Sequence, residues 1–227
     1  MLGVLYDIHG NLPALDAVLE ETQLAGADRY LLGGDYALFG AWPAETVARL
    51  RELDATWIRG NVDRWVDDPG EDDLPDEVRG AVGRCRELLD AETIAELGAL
   101  PAALVEGGVR YCHASPLSDL RSFAPEAGPE DEELLAGAEQ ARVVFGHTHL
   151  QFTRLGGVGT ELVNPGSVGI PLDGDHRAAF ALAHPDGRIE LRRVDYDFQA
   201  SASAVRDVLG EFGETAARRI EQARFDV

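Results

Sequence analysis

The feature that most constrains this chain is a series of short polar clusters in which glycine stands beside residue types that bind metal ions. The first five clusters each follow a short apolar run. The clusters are Asp7-Ile8-His9-Gly10-Asn11, Gly33-Gly34-Asp35-Tyr36, Gly60-Asn61-Val62-Asp63, Cys112-His113-Ala114, Gly146-His147-Thr148-His149 and Asn164-Pro165-Gly166-Ser167. A buried strand that stops at a carboxylate, amide or imidazole places that group at the sheet edge, where open α/β folds hold their ligands. We therefore expect these side chains to meet at one edge.

The order of apolar runs and helical patterns predicts an α/β fold. Strands predicted at residues 2–6, 29–32 and 56–59 alternate with helices, which is typical of a parallel sheet. The first helix is expected to begin after Asn11, a favourable N-cap, and the second near Pro43. After residue 101 strands dominate, at 103–106, 110–113, 142–145, 151–155, 160–163, 178–183 and 188–194.

Together these elements predict a four-layer α-β-β-α sandwich. Two packed mixed sheets are flanked by helices, with the first half of the chain parallel and the second largely antiparallel. A dimetal site is expected at the carboxyl-terminal edge of the strands. Residues 126–138 are predicted to be helical.

The length of 227 residues indicates a single domain that spans residues 1–227. A helical insertion is expected at about 64–101, with helices near 76–89 and 91–100, and a helical tail at about 200–227. The tail helices are expected to turn Val205, Val208 and Leu209 inward. The insertion begins with an acidic stretch, Asp67, Asp68, Glu71, Asp72, Asp73, Asp76 and Glu77. Such a stretch is usually a solvated face; the alternative, a cap over the site, stays open because the insertion follows the Asn61 cluster directly.

The net charge of the chain restricts the classes of partner that it is expected to bind. The net charge is −21, and all 20 basic residues are arginine. A field of that sign repels long nucleic acid and anionic membranes. It is compatible with small phosphate substrates, because bound divalent cations invert the local potential. No apolar run approaches the roughly 20 residues of a membrane span. Cys85 and Cys112 form no C-x-x-C pair and are expected to be buried. We expect a cytoplasmic protein; the oligomeric state is left open.

The polar clusters contain the donor types of a transition-metal site. Mixed carboxylate, amide and imidazole donors suit Mn, Fe, Co, Ni or Zn. In an extended strand, positions i and i+2 project to the same side, so Asp7 and His9 can reach one ion. His147 and His149 repeat that spacing. His176 and His184 lie outside any cluster and are interpreted as ordinary hydrogen-bonded histidines.

Three further donors complete a two-metal site. Asp35 is the natural bridge, because a carboxylate has two oxygens and can hold two cations roughly 3.5–4 Å apart. Asn61 offers a neutral oxygen, and Gly60 permits close approach of the backbone. His113 ends its own strand.

The pattern D-x-H, G-D, G-N-x-D, H and G-H-x-H in these clusters resembles that of the calcineurin-like metallophosphoesterase superfamily, in its small bacterial and archaeal phosphodiesterase branch. The resemblance extends from Leu2 to about Val194, and the block Asn164-Pro165-Gly166-Ser167 resembles one of that branch and marks a tight turn near the site. It implies one metal ion held by Asp7, His9, Asp35 and His149. It implies a second held by Asp35, Asn61, His113 and His147. A hydroxide that bridges the two ions would be the nucleophile. Manganese is favoured, with Fe, Ni, Co and Zn as alternatives.

The chain departs from better-known relatives at two places. Many family members have a histidine after Gly-Asn, where this chain has Val62. Protein Ser/Thr phosphatases carry an arginine a few residues after Gly-Asp, where this chain continues Tyr36-Ala37-Leu38-Phe39-Gly40. Both departures argue against a protein phosphatase and leave the general acid unassigned.

Four residues are candidates for auxiliary roles in such a site. Asn11 is a candidate phosphate ligand, and Asp63 a candidate partner that orients a ligand imidazole. Arg59 and Arg64 flank the Asn61 cluster and are candidate phosphate contacts. The alternative for both arginines is a surface position.

The resemblance and the residues together predict a metal-dependent phosphodiesterase acting on a small phosphodiester or nucleotide. A cyclic nucleotide, a dinucleoside polyphosphate and an oligonucleotide end remain alternatives. A diester is favoured over a monoester because extra cationic residues that would hold a dianion are missing. A non-catalytic interaction scaffold on the same fold is the main alternative, but it predicts eroded ligands, and all seven are intact. An enzyme acting on a substrate that is not a phosphoester is the third hypothesis.

Overall fold

Two five-stranded sheets form the centre of the computed structural model, which describes residues 1–70 and 72–227 without the side chain of Val158. Glu71 of the predicted acidic stretch lies outside these residues. The strands described are β1 (Leu2–Leu5), β2 (Arg29–Leu32), β3 (Ala55–Trp57), β4 (Ala103–Glu106), β5 (Val109–Cys112), β6 (Arg142–Val144), β7 (Gln151–Leu155), β8 (Glu161–Pro165), β9 (Ala178–Ala183) and β10 (Ile189–Val194).

Helices cover the outer faces of the sheets and form the insertion and the tail. They are α1 (Leu12–Leu24), α2 (Pro43–Arg51), α3 (Asn61–Asp67), α4 (Asp76–Leu88), α5 (Ala91–Gly98), α6 (Asp131–Leu134), α7 (Phe198–Leu209) and α8 (Glu214–Gln222). Short 3-10 turns lie at Gly157–Gly159 and Gly210–Gly213. None of the helices described is both long and apolar enough to cross a membrane.

Each sheet has a parallel centre with antiparallel strands added to it. The first sheet has the order β10-β9-β1-β2-β3, and the second has the order β4-β5-β6-β8-β7. Strands β1, β2 and β3 are parallel, as are β5, β6 and β8, whereas β9, β10, β4 and β7 pair antiparallel. The predicted sandwich of two mixed sheets is confirmed. The predicted division into a parallel first half and a largely antiparallel second half also holds, because the first three strands pair with one another only in parallel and four of the six pairings described for the later strands are antiparallel. The sequence did not indicate that β9 returns to pair with β1.

The strands at the centre are buried on both faces, as parallel strands with covers on either side require. Val4 and Leu31 point between the sheets, where they pack with Val144 and Val163 of the second sheet. Their neighbours along the strands, including Leu5, pack against the helices. The Tyr6 hydroxyl donates to the Val144 carbonyl oxygen at 3.1 Å and so links the two layers.

Three local predictions differ from the structure. The strand predicted at 56–59 is β3 at Ala55–Trp57, and Asn61 begins helix α3. Residues 126–138 form only the one-turn helix α6, because Pro129 and Gly137, which has a φ of 79°, interrupt a longer helix. Strand β1 ends at Leu5, one residue earlier than expected, so Tyr6 and Asp7 lie outside it.

The insertion and the tail contact each other beside the carboxyl ends of the strands. Val205 and Leu209 of α7 are buried, and Val208 is partly buried against the same cluster. The Glu77 carboxylate of α4 accepts hydrogen bonds from the Thr215 backbone N–H at 3.2 Å and from its hydroxyl at 2.9 Å. Phe212 packs over Gly80, where a Cβ atom would overlap its ring.

Candidate metal centre

The structure brings the seven predicted ligand residues together at the carboxyl-terminal edge of the strands. The side chains form two groups, and within each group the candidate ligand atoms all lie within 4.8 Å of one another. The first group consists of Asp7, His9 and His149, and the second of Asp35, His113 and His147. Asn61 lies beside the second group. All of these residues except His147 are buried.

The backbone of five of these seven residues is left-handed, which the sequence pattern did not predict. Among the residues described, seven other than glycine have positive φ, and five of them are Asp7, His9, Asp35, His147 and His149, with φ between 50° and 68°. Such conformations cost roughly 1–3 kcal/mol each and cluster at functional sites. The shared direction of Asp7 and His9 therefore comes from a loop conformation and not from the alternation of an extended strand.

Three imidazoles are oriented by backbone carbonyl groups. His9 Nδ1 lies 2.9 Å from the Leu38 carbonyl oxygen. His149 Nδ1 lies 2.6 Å from that of Ile170, and His113 Nδ1 lies 2.9 Å from that of Gly33. Because a carbonyl oxygen only accepts, each Nδ1 carries the proton and donates it. In the neutral ring the Nε2 lone pair then points into the site, as is typical of metal-binding histidines.

The first group has the arrangement expected around a cation. His9 Nε2 and His149 Nε2 are 3.1 Å apart, so two lone pairs face each other. Two nitrogens bound to one ion at about 2.0–2.1 Å lie roughly 3.0–3.4 Å apart. Asp7 Oδ1 is 3.8 Å from His149 Nε2 and, within residues 1–70 and 72–227, is a buried oxygen without a hydrogen-bond partner. A divalent cation satisfies all three atoms at once.

Asp35 lies between the two groups. Its Oδ2 atom is 3.3 Å from His113 Nε2 and 3.8 Å from His9 Nε2. Its Oδ1 atom accepts a hydrogen bond from the Val62 backbone N–H at 3.1 Å. One oxygen, and not two as expected, therefore faces both groups.

Asn61 joins two imidazoles of the second group. Its Oδ1 atom is 2.9 Å from His113 Nε2 and 2.9 Å from His147 Nδ1. A neutral amide oxygen in this position is a suitable donor for a borderline transition metal.

The electrostatics of the cluster also favour cation binding. Burial opposes charge on the His113 imidazole, but the carboxylates of Asp35 and Asp7 outweigh it and raise the pKa of His113 to about 10. Burial lowers the pKa of His147 to about 4, with a further contribution from His113. Burial also lowers the pKa of His149. Because metal ligands bind in their deprotonated form, we expect cation binding to displace a proton from this cluster.

Asp63 holds the backbone of the site. Its carboxylate accepts hydrogen bonds from the backbone N–H groups of Asp35 at 2.8 Å, Tyr36 at 3.0 Å and Gly60 at 2.8 Å. Burial, followed by the charge of Asp35, raises its pKa to about 7. The predicted contact with a ligand imidazole is replaced by these three contacts, so Asp63 positions Asp35 and the start of α3.

Asn11 is placed in the packing behind the site. Its Oδ1 atom accepts from the Ala14 backbone N–H at 3.3 Å, which caps α1 as expected, and from the Ser201 hydroxyl at 3.1 Å. Its Nδ2 atom donates to Gly169 O at 2.8 Å and lies 3.4 Å from the Tyr196 hydroxyl. These contacts occupy the side chain, and Asn11 does not line the cavity. The structure thus contradicts its predicted role as a phosphate ligand.

The two candidate arginines also point away from the site. Arg59 donates to Gly98 O at 2.8 Å. Arg64 donates to the Asp119 carboxylate at 2.8 and 3.2 Å and to Asp72 at 2.8 Å. Neither residue lines the cavity, which contradicts their predicted contact with phosphate. Arg64 instead links the insertion to a loop of the second sheet.

Two further features hold the ligand loops in place. The Ser167 hydroxyl donates to Asp7 O at 2.7 Å, and Asn164 Nδ2 donates to Gly146 O at 3.1 Å. The Asn164-Pro165-Gly166-Ser167 block therefore supports two ligand loops. Gly60 is required for a different reason, because a Cβ atom there would overlap Asp35 Oδ1.

A cavity of about 680 Å³ lies over the ligand groups, and five of the seven ligand residues line its floor, namely His9, Asp35, Asn61, His147 and His149. The wall of this cavity is largely apolar and comes from the Phe39 loop, the insertion and the tail. The wall includes Phe39, Trp65, Val78, Phe212, Arg219 and Phe225. The sequence interpretation missed these residues, since neither their types nor their spacing distinguishes them from packing residues.

The fold and the site indicate a class of protein, and comparison with known protein families supports the same class. The sequence profile of the calcineurin-like phosphoesterase superfamily domain matches residues 1–188. The chain belongs to this superfamily. Membership, together with the two ligand groups, indicates a phosphoester hydrolase that uses divalent metal ions.

Particular relatives cover nearly the whole chain. An uncharacterized protein of Methanocaldococcus jannaschii is 29% identical, over 88% of this chain and 89% of its own length. A metallophosphoesterase from Sphaerobacter thermophilus is 26% identical, with a TM-score of 0.79 and coverage of 98% of both chains. A hypothetical protein from Pyrococcus horikoshii is 21% identical, with a TM-score of 0.81 and coverage of 95% of this chain and 98% of that one. This last similarity shows the fold alone.

Proposed function

We propose that this protein is a phosphodiesterase that hydrolyses a small phosphodiester or nucleotide at a dinuclear metal centre. The observation that carries the proposal is the position of Asp35 Oδ2 between His113 Nε2 at 3.3 Å and His9 Nε2 at 3.8 Å. One carboxylate oxygen that faces two groups of donors is an arrangement that can bridge a pair of cations. The proposed ligands are Asp7, His9, Asp35, Asn61, His113, His147 and His149.

The two cations, when bound, supply Lewis acidity that acidifies a water molecule and neutralises charge on the phosphoryl oxygens. The residues of the chain prepare the place for this chemistry. The carbonyl contacts of His9, His113 and His149 orient the rings before any ligand arrives. Asp63 holds the backbone on either side of Asp35. We propose manganese because oxygen and imidazole donors are mixed, with Fe, Ni, Co and Zn as alternatives.

The wall favours a diester over a monoester. An apolar wall suits a phosphate with two organic substituents better than a dianion that presents three charged oxygens to it. The sequence predicted that extra cationic residues are missing, yet Arg219 lines the cavity. Because the wall, among the residues described, carries only this arginine and also the Glu77 carboxylate, it suits a monoanionic diester better than a dianion. We propose that the insertion and the tail together cap this substrate.

The proposal is tested by hydrolysis of bis-p-nitrophenyl phosphate after metal removal and addition of Mn²⁺. We expect activity with Mn²⁺, its loss with a chelator, and about two metal ions per chain by elemental analysis. We expect poor activity on phosphoserine peptides. A matched pair of variants separates the site from the rest of the chain: His149→Ala should lower activity and metal content, and His184→Ala should change neither, since His184 pairs with Glu190 outside the site. Chelator-resistant activity or efficient peptide dephosphorylation would contradict the proposal.

A further inference from the structure

Arg219 stands on the wall of the cavity, on the tail helix α8. Among the residues that line the cavity it is the sole arginine. Its guanidinium carbon lies 4.2 Å from the ring centroid of Phe225, and its Nε atom donates to Phe225 O at 3.3 Å. These two contacts hold the side chain along the wall. In residues 1–70 and 72–227, the two terminal nitrogens of Arg219 have no hydrogen-bond partner.

The Arg219 guanidinium is one of six, among the residues described, that form no ion pair within 4.0 Å, although the chain has 41 acidic residues for its 20 arginines. Of these six it is the one that lines the cavity. The nearby carboxylate of Glu77 is occupied by Thr215, which donates from its backbone N–H and its hydroxyl. Arginine remains cationic under all ordinary conditions. The Glu77 carboxylate on the same wall offsets part of the Arg219 charge without pairing with it directly. A half-buried cation without a direct ion pair that faces a cavity is a site for an anion.

The remainder of the wall indicates what the anion carries. Phe39, Trp65, Phe212 and Phe225 place four aromatic side chains around the same cavity. Aromatic faces bind flat rings by stacking, largely irrespective of the polar groups at the ring edge. The volume of about 680 Å³ lies within the roughly 300–1,000 Å³ typical of small-molecule sites. The cavity therefore has room for a phosphate at the floor and a ring against the wall.

We propose that Arg219 binds a phosphoryl oxygen of the substrate and that the wall around it selects monoanionic phosphodiesters with a flat aromatic substituent. This inference rests on the proposed function, since it names the substrate class of the same site. It assigns a binding role to the tail, which lies outside residues 1–188 of the family match. Arg219 contacts substrate and takes no part in proton transfer.

The test compares an anion with a neutral molecule of similar shape. Binding of diphenyl phosphate and of diphenyl sulfone to the Mn²⁺-loaded protein is measured by calorimetry. We expect Arg219→Gln to weaken binding of diphenyl phosphate about tenfold or more, the loss typical of a hydrogen bond to a charged group. Binding of diphenyl sulfone should change less than about twofold. Arg218→Gln is the matched control, because Arg218 is the adjacent, exposed residue of α8, and it should leave both constants unchanged.

Kinetics and a second variant separate binding from structure. With bis-p-nitrophenyl phosphate, Arg219→Gln should raise KM with little change in kcat, and Arg219→Lys should restore part of the loss. Phe225→Leu should weaken binding of both diphenyl ligands. Equal loss of both ligands in Arg219→Gln, or no loss of either, would show that Arg219 only packs against Phe225 and would overturn the inference. If the wild-type protein hydrolyses no diester with Mn²⁺, the proposed function fails; if it does and Arg219→Gln binds diphenyl phosphate normally, the inference alone fails.

Discussion

The floor and the wall of the cavity are held in place by different kinds of contact. The floor consists of buried polar side chains, and nearly every one is fixed by a backbone contact, such as His149 Nδ1 to Ile170 O at 2.6 Å. The wall is largely apolar and comes from the Phe39 loop, the insertion and the tail. The insertion and the tail contact each other through Glu77 with Thr215 and Gly80 with Phe212. A site held by many directional bonds keeps one geometry.

Because of this difference, we expect the floor to govern the chemistry of the site and the wall to govern its substrate selectivity. The floor is oriented before a ligand arrives, as catalytic groups require. Apart from hydrogen bonds such as those between Glu77 and Thr215, the wall depends on non-directional packing, which tolerates changes of shape more readily. The floor lies within residues 1–188, the span of the family match, whereas the tail part of the wall lies beyond it. Changes to the floor should therefore alter rate and metal content, and changes to the wall should alter substrate preference.

The largest effect is expected from Asp35→Asn. Because Asp35 Oδ2 faces both ligand groups, the change should reduce metal content at both and lower kcat/KM by about 10³-fold, as several kcal/mol of charge stabilisation is lost. Elemental analysis and steady-state kinetics measure these effects, and Asp207→Asn on the exposed face of α7 is the control. Full metal content with full activity would show that Asp35 is not shared.

The second effect tests whether the floor depends on its backbone support. Asp63→Asn replaces an acceptor oxygen by an amide N–H group that faces backbone donors, so one donor at least is left without a partner. We expect a loss of about 10- to 100-fold in metal affinity and about 1–3 kcal/mol in the free energy of unfolding. Metal titration and urea denaturation measure them. Asp76→Asn, at an exposed position, is the control. Unchanged metal affinity would mean that the loop holds its shape without this carboxylate.

The third prediction concerns the boundary between floor and wall, where Val62 lines the cavity. General-acid assistance typically supplies about 10²–10⁴-fold, and Val62 cannot provide it. Rates on a series of aryl diesters should therefore depend steeply on the pKa of the leaving group. Val62→His should raise turnover of poor leaving groups by about tenfold, a part of that range, and good ones less. Val62→Ala controls for lost packing. Equal slopes in the two proteins would indicate that another group already donates the proton.

The smallest effect is expected in the wall, from a pair of glycines on α4. Gly80→Ala forces a Cβ atom into the Phe212 ring, whereas at Gly83 a Cβ atom meets open space. Gly80→Ala should lower the free energy of unfolding by about 1–3 kcal/mol and raise KM for aryl diesters a few-fold. Gly83→Ala should stabilise the protein by up to about 1 kcal/mol. Both are measured by thermal or urea denaturation. Identical behaviour of the two variants would show that α4 and Phe212 do not form one wall.

Local patterns in the sequence determined the two mixed sheets and the residue types of the floor. Each apolar run ends beside its polar cluster, so strand and candidate ligand are adjacent in the chain. Parallel strands then place their carboxyl ends at one edge without reference to distant residues. For this reason Asp7, Asp35 and His113 could be recognised before the structure was known.

Tertiary structure alone decided which strands share a sheet and what surrounds the floor. The pairing of β9 with β1 and the contact of Asn11 with Ser201, 190 positions away, join segments that have no local signal for each other. The same holds for Arg64 with Asp119 and for Arg219, which reaches the cavity only because α8 packs beside the insertion. A polar or cationic side chain has the same local pattern whether it binds a ligand or satisfies a neighbour. Its role is decided by long-range packing, which places either a ligand site or another residue of the protein within reach of the side chain.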